Sequence, residues 1–472
     1  MFSSKSDFEK YINGKRSAVI GVGISNKPLI RYICSLGAKV TALDMAEADD
    51  PYIIKSIDEF AAAGLELDWS LGKDYLKALH GFDIIFKTPK MRIDTPELIS
   101  ASKEGTIITS EMEVFFDCCP CRIIGITGSD GKTTTTTIIA GVLEKSEHNV
   151  HLGGNIGNPL IDRLGDIKPD DIAVVELSSF QLHSMQKSPD IALITNITPN
   201  HLDVHKDFTE YIDAKKNIFR YQNASGILVL NGSDIVSSEF ASEAKGRVRV
   251  FAGKITRAGD DHKPFDAYYD EEYFYFRSGR SLKLNEIRLV GRHNLNNYCS
   301  AISVLKDLAD DDSFISFMKE FAGVPHRNEF IRTVDGVDYY NSSIDSSPTR
   351  TISTLQGFID RDQKVVIIAG GKDKNCDYTG LGDMMLDASG KIILCGQNSL
   401  LIKESVLDAA KARRTNDVFI KEVENYDEAL TVAGSLANPG EAVVLTPAGT
   451  SFDKFRNFEE RGDLFRKLVK EL

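Results

Sequence analysis

Three observations predict an α/β protein built as three domains in series on mainly parallel sheets. The chain has 472 residues, a length that suggests about three domains. Short apolar runs alternate with helix-like segments along its length, as in βαβ units around buried parallel sheets. Many of these runs end in turns rich in Gly, Ser, Thr and Lys, and ligands of open α/β sheets bind at those carboxyl ends.

Residues 1–110 carry the runs SAVIGVG, KVTALD, DIIFKTP and TIITS, the makings of a Rossmann-like domain. GVGISN, with Asp44 closing the next strand, matches part of a dinucleotide-binding fingerprint. Gly21 and Gly23 are present, but Asn26 and Lys27 stand where the third Gly belongs. A nucleotide site and a plain tight turn both fit that stretch. Residues 111–323 carry RIIGITG, DIAVVELSS, IALITNIT and GILVLNG, with DAYYDEEYFYF as an expected hairpin. Residues 324–472 carry VDYYNSS, KVVIIAGGKDK, KIILCG and EAVVLTPAG, a second Rossmann-like pattern.

The net charge of −13 argues against a general surface for nucleic acid or anionic membrane. No apolar run reaches the roughly 18 residues of a membrane span. The start, MFSSKSDFEKYINGK, lacks the apolar core of a secretory signal. A cytoplasmic protein is expected. Seven cysteines in so long a chain do not indicate a disulfide scaffold. The group Cys118, Cys119 and Cys121 has no second Cys/His pair nearby to complete a zinc site, and reads as reduced thiols in a linker.

The densest chemistry is in GITGSDGKTTTTT. Gly125 and Gly131 are separated by five residues, one more than the usual P-loop allows, yet the parts are intact. Gly128, Ser129, Asp130 and Gly131 would offer backbone N–H groups at a helix start, which attract anionic oxygen. Lys132 would reach a terminal phosphate, and Thr133, followed by Thr134, would supply a hydroxyl to Mg²⁺. The bland alternative is a Gly-rich turn opening a helix, but a run of β-branched Thr is a poor helix start. This segment therefore reads as a phosphate-binding loop of P-loop type.

Glu176 ends the run DIAVV, where a carboxylate could join a shell of hard oxygen ligands. HLDVH places His201, Asp203 and His205 after another strand, with Lys215 and Lys216 on the helix that follows. Its spacing invites zinc, a helix-capping cluster, or a Mg²⁺ or phosphate site. GRHNLNN and VPHRNE set amides, His and Arg beside helices, Arg being suited to bidentate phosphate contacts. GGKDK and TPAGTSFDKFRNFEERG follow strands and resemble anion-binding loops.

Taken in order, ITGSDGKTTTT, GGNIGNP, ELSSFQL, NITPNHLDVH, DAKKNIF, GRHNLNN, PHRNE, AGGKDK and TPAGTSFDKFRNFEERGD resemble the Mur ligases. The resemblance covers nearly the whole chain and implies that the domain of residues 111–323 is a P-loop-type ATPase. ELSSFQL and SFDKFRNFEERG are similar to the family member that adds D-glutamate. The resemblance implies an ATP-dependent ligase joining D-glutamate to UDP-N-acetylmuramoyl-L-alanine through an acyl phosphate, in a protein expected to be monomeric. It implies that Gly128 to Thr134, Asn294, Asn297 and Arg327 hold ATP, with Lys132, Glu176, His201 and Lys215 as the catalytic set. Two Mg²⁺ ions are implied, one on Thr133 and Glu176, the other on His201 and a carbamylated Lys215. Ser25, Asp44, Thr88, Asn155 and Ser178 would hold the UDP-sugar. Lys374, Ser451, Phe458 through its backbone, and Ser346 would hold D-glutamate.

Three departures from the family pattern carry expectations. Ser342 stands where an Asp usually meets the ribose, which predicts weaker ATP binding, with Asp345 as the candidate substitute. Lys90 replaces a Gly at the uracil end and puts that contact in doubt. Gly449 replaces a common Cys, with little loss expected. The alternatives are another ligase of the superfamily, such as a folylpolyglutamate synthase, and a non-catalytic relic that binds nucleotide or UDP-sugar. The first would lack ELSSFQL and the N-terminal segment.

Overall fold

The computed structural model describes residues 2–157, 159–199, 204–254, 265–289, 291–374 and 376–472. The first strands are β1 (Arg16–Ile20), β2 (Lys39–Asp44), β3 (Asp68–Leu71), β4 (Ile84–Phe86) and β5 (Ile107–Thr109). They form one sheet of order β3-β2-β1-β4-β5, parallel throughout. Ala18, Ile20 and Ile85 pack on one face, and Val19, Ile84 and Phe86 on the other. Both faces are dry, which is why these strands read as unbroken apolar runs rather than alternating ones.

The second sheet comprises β6 (Arg122–Thr127), β7 (Val150–Gly154), β8 (Ile172–Glu176), β9 (Ile191–Ile194), β10 (Ile227–Asn231) and β11 (Arg247–Phe251). Its order is β11-β10-β9-β6-β8-β7, again parallel throughout. After β8 the chain crosses β6 to reach β9, so the loop leaving β6 lies at a reversal of strand order, where such sheets bind ligands. Short strands β12 (Ala267–Tyr269), β13 (Tyr273–Phe276) and β14 (Ser281–Lys283) follow, in the stretch expected to form a hairpin.

The third sheet holds β15 (Glu329–Val334), β16 (Val337–Asn341), β17 (Val365–Ala369), β18 (Lys391–Leu394), β19 (Phe419–Glu422) and β20 (Ala442–Leu445). Its order is β15-β16-β20-β17-β18-β19. Only the β15–β16 pair is antiparallel. Ile367 and Val444 face one apolar cluster, Val366, Ile368 and Val443 the other.

The chain forms two compact units. One comprises Met1–Asp270, Tyr275–Arg280 and Asn297–Phe314, the other Glu271–Phe274, Ser281–Asn296 and Ile315–Leu472. The seam expected at residue 110 falls inside the first unit. There the helix Glu111–Cys118 sends Met112, Val114 and Phe115 into a cluster shared with residues of both parallel sheets, such as Phe86 and Val175. The second unit resumes at Ile315, before the expected 324. Arg288 N–H donates to Met318 O (3.1 Å) and Phe330 N–H to Ala322 O (3.0 Å). The Arg288 guanidinium also lies over the Phe330 ring, 4.4 Å from its centroid.

Glu111 opens its helix at 5% exposure. Burial, reinforced by the charge of Asp162, raises its carboxyl from 4.5 to about 8. Between those values the folded chain keeps a proton that the unfolded chain has lost. This contribution to stability is therefore full below 4.5 and declines as pH rises toward 8. The shift corresponds to up to about 5 kcal/mol. Glu111→Gln is expected to flatten the fall of Tm with pH across this window, measured by thermal melts. An unchanged slope would show that Glu111 does not hold the proton.

Candidate active site

The loop from Gly128 to Gly131 connects β6 to the helix Lys132–Lys145. Gly128 has φ 151° and Gly131 φ 77°, values that favour Gly. A Cβ at Gly128 would collide with Thr195 Oγ1, and one at Gly131 would press on Asn297 Oδ1. The segment after β9 clamps the loop. Ser129 N–H donates to Asn196 O (2.9 Å) and Asp130 N–H to Asn196 Oδ1 (3.0 Å), while Thr195 Oγ1 donates to Asp130 O (2.6 Å). Ser129 Oγ donates to Thr198 O or shares a proton with Tyr211 OH, each at 2.9 Å. The helix starts without a side-chain cap, so its first N–H groups face the loop, an arrangement suited to anionic oxygen. Lys132 Nζ donates to Gly128 O and Ser129 O, both at 2.9 Å. Thr133 is half-buried and Thr134 buried at the same helix start.

Glu176 ends β8 in register with Ile126 of β6 and Gly154 of β7. It is 1% exposed. Its Oε1 accepts Asn155 Nδ2 (2.8 Å), while Oε2 is buried without a hydrogen-bond partner among the described residues. Asn155 N–H also donates to Glu176 O (2.8 Å). Ser178 caps the short helix Ser179–Leu182 in a capping box with Gln181.

The helix Phe208–Arg220, capped by Asp207, turns Lys215 inward and Lys216 outward to Glu243. Lys215 is 1% exposed. Its Nζ donates to Gly128 O (2.8 Å) and Thr127 Oγ1 (3.3 Å), over the Tyr211 ring. Burial, then the charge of Lys132, hold its amine well below the ordinary lysine value. His205 is buried, its Nε2 3.0 Å from Ser179 Oγ and its ring stacked on Phe180. His201 and Asp203 lie outside the described residues, so the HLDVH set is described only at His205. Among the described residues no group of three His, Cys, Asp or Glu side chains is placed to hold a metal ion.

A Mg²⁺ ion needs few protein oxygens because it keeps most of its waters. The partnerless Glu176 Oε2 is such an oxygen, and Thr133 stands at the start of the neighbouring helix. These residues fit the ion, with Lys215 close by as an amine that must gain an oxygen-bearing group to serve as a ligand.

At the carboxyl ends of the first sheet, Asp44 accepts Val22 N–H (2.9 Å) and Ala46 N–H (3.0 Å). Ser25 precedes the helix Asn26–Ser35 without capping it through its side chain. Thr88 lies against the turn at Gly21 (φ 82°), where a Cβ would approach Thr88 Cβ to 3.2 Å. The missing third Gly has an explanation in Asn26, whose Nδ2 ties down Ile20 O and Gly21 O, each at 2.9 Å. Lys90 is exposed in a turn closed by Met91 N–H to Thr88 O (3.1 Å), without the left-handed backbone that would call for Gly.

In the second unit, Ser346, Lys374, Ser451 and Phe458 lie on the segments that follow β16, β17 and β20. Lys374 is exposed, Ser346 and Phe458 are half-buried, and Ser451 is buried. Sequence reading missed Arg461, 1% exposed, which joins these segments. It donates to Ser343 O (2.7 Å), Ser343 Oγ (3.0 Å) and Gly449 O (3.1 Å). Asn398, also missed, accepts Gly371 N–H (2.8 Å) and donates to Ala448 O (3.1 Å). A Cβ at Gly449 would sit 2.7 Å from the Asn398 amide nitrogen, so Gly suits this packing.

Asp345 does not face outward as a ribose ligand. It is buried, and its Oδ2 accepts Thr354 Oγ1 (2.7 Å) and Thr446 Oγ1 (2.8 Å), with burial raising its carboxyl. Ser342 Oγ lies 3.5 Å from Thr354 Oγ1, so an Asp at 342 would meet Asp345 across that hydroxyl. Asn294 is buried near the start of the helix Arg292–Leu305, and Arg327 lies in the turn before β15. A cavity of about 730 Å³ lies instead at the amino ends of β16 and β20, beside Asp338 and Gly440, and contains none of the expected site residues.

Residues 126–305 match the model of the Mur ligase middle domain. The chain is 44% identical to the UDP-N-acetylmuramoylalanine--D-glutamate ligase of Acetivibrio thermocellus, with 100% of both chains covered. It is 43% identical to the ligase of the same name from Clostridium perfringens, with 99% of both covered. Among solved structures, its fold is similar to the UDP-N-acetylmuramate-alanine ligase of Thermotoga maritima. That match has TM-score 0.58 and 18% identity, and covers 97% of this chain and 99% of the other. A MurF ligase from Thermotoga maritima in complex with ADP matches with TM-score 0.54 and 16% identity, over 98% of this chain and 97% of that one.

Proposed function

The chain belongs to the UDP-N-acetylmuramoylalanine--D-glutamate ligases of the Mur ligase family, and on that premise we propose how its residues join D-glutamate to UDP-N-acetylmuramoyl-L-alanine using ATP. The reading rests above all on one observation. A loop built for anionic oxygen, a buried lysine amine and a carboxylate oxygen without a hydrogen-bond partner among the described residues gather at the carboxyl ends of β6 and β8.

The loop N–H groups and Lys132 receive the phosphates of ATP, with Asn297 against the loop and Asn294 and Arg327 completing the nucleotide site. Phosphoryl transfer depends on positioning and on neutralising charge. The alanyl carboxylate attacks the γ-phosphorus, and ADP leaves. The amine of D-glutamate then attacks the acyl phosphate carbon, loses a proton, and inorganic phosphate departs as the amide forms. Thr133 and Glu176 would hold one Mg²⁺, and His201 with carbamylated Lys215 a second. When bound, these ions supply positive charge against the phosphate oxygens. Ser25, Asp44 and Thr88 hold the uridine diphosphate, and Asn155 and Ser178 the muramoyl part. Lys374, Ser451, Ser346 and the Phe458 backbone receive the D-glutamate carboxylates. The protein acts as a monomer in the cytoplasm.

Phosphate release from ATP and Mg²⁺ with UDP-N-acetylmuramoyl-L-alanine tests the reading, with D-glutamate, L-glutamate or neither added. Sustained release with the D-isomer alone is expected. UDP-sugar binding without release under any of the three conditions would favour the non-catalytic relic.

A further inference from the structure

The path from the first sheet to the second passes through the helix Glu111–Cys118 and the short link Cys119-Pro120-Cys121, which enters β6 at Arg122. Cys119 ends the helix, its N–H donating to Phe115 O (2.8 Å), and its backbone turns extended at φ −66°, ψ 122°. Pro120 fixes the next φ. The link folds back so that Cys119 Sγ lies 3.5 Å from Cys121 Sγ. Cys119 is partly exposed, Cys121 is 7% exposed, and the adjacent Cys118 is turned into the core.

We propose that Cys119 and Cys121 are an oxidisable dithiol, a covalent site at which small-molecule disulfides are reduced and the link closes as an internal disulfide. Cys119, the more exposed sulfur, takes the first step as its thiolate. It attacks one sulfur of RS–SR, the reagent's S–S bond breaks, and the departing RS⁻ takes up the Cys119 proton. Cys121 then attacks the Cys119 sulfur of the mixed disulfide, and the second RS⁻ leaves with the Cys121 proton. Two electrons pass from the protein sulfurs to the reagent, and two RSH are released.

Geometry favours the second step, because the resolving sulfur is already in contact with the sulfur it must attack. Thiol–disulfide exchange depends on the thiolate fraction and on access. In the reduced pair the contact with Cys121, and then burial, hold the Cys119 pKa above the ordinary thiol value, so the first step is the slow one and quickens as pH rises. Neither sulfur is among the groups assigned to nucleotide or substrates, so the site is independent of the ligase chemistry.

Incubation of the full chain with oxidised glutathione, followed by alkylation and peptide mass analysis, tests the proposal. Within the peptide spanning them, Cys119 and Cys121 are expected to lose two hydrogens and resist alkylation, while Cys118 in the same peptide, once unfolded, and Cys34 and Cys376 remain alkylated or singly glutathionylated. Cys119→Ser, and Cys121→Ala, which keeps the buried site apolar, should each abolish the internal disulfide and retain ligase activity. A lasting glutathione adduct on Cys119 of the unsubstituted chain would overturn the proposal. Alkylation of both sulfurs as readily as Cys376 would do the same.

Discussion

Lys132→Met is expected to lower kcat by about a thousandfold, the scale of losing one preorganised charge contact in a transition state. Lys132 begins the helix directly after Gly131, and its Nζ rests on the carbonyls of Gly128 and Ser129. Those carbonyls belong to the loop that leads into the uncapped helix start, where N–H groups favour anionic oxygen, so the amine already stands beside the incoming charge. Methionine keeps much of the side chain's length and apolar stem but carries no charge. The separate clamp from Thr195 and Asn196 to Ser129 and Asp130 should preserve the loop, and with it most ATP binding. The effect therefore belongs mainly in kcat, measured by steady-state phosphate release, with circular dichroism to verify folding. A loss of less than about tenfold would remove Lys132 from the transition state.

Lys215→Met is expected to abolish turnover, and the unsubstituted enzyme is expected to depend on dissolved CO₂. The Lys215 amine is buried against Gly128 O and Thr127 Oγ1, and burial together with Lys132 favours its neutral form. A neutral primary amine adds CO₂ by forming one N–C bond and releasing one proton. The product carries a carboxylate-like group of −1 charge where a hard cation needs oxygen. Carbon-13 bicarbonate should give a carbamate signal that is absent from Lys215→Met. Removing CO₂ should lower activity, and bicarbonate should restore it. Full activity in CO₂-free buffer would contradict this role. Lys216, turned outward to pair with Glu243, provides a control substitution that should leave the signal intact.

The strands and their terminal motifs were legible because parallel strands buried on both faces leave unbroken apolar runs, and because glycines at positions such as Gly128 and Gly131 answer a backbone requirement. Glu176 was legible as a carboxylate ending such a run, as was Asp44. What depended on distant packing was not legible. Arg461 lies far in sequence from Ser343, which it holds, and nothing in NFEERG distinguishes a buried guanidinium from a surface one. Asp345 looked available as a ribose ligand, but two threonines from separate segments, Thr354 and Thr446, draw it inward. Asn26 looked like a defect in a glycine pattern, and its side chain instead secures the turn that the pattern serves. The seams between segments were blurred for the same reason, since one apolar cluster runs from the first sheet into the second.

The most direct test of the central claim is to follow the substrate's own oxygen. UDP-N-acetylmuramoyl-L-alanine labelled with oxygen-18 in its alanyl carboxylate would be turned over with ATP and D-glutamate, and the released phosphate analysed by mass spectrometry. Transfer of one labelled oxygen to each phosphate is predicted, because the carboxylate oxygen that attacks the γ-phosphorus leaves with it when the amide forms. Amide product accompanied by unlabelled phosphate would contradict the acyl phosphate and the roles assigned to Lys132, Glu176 and Lys215.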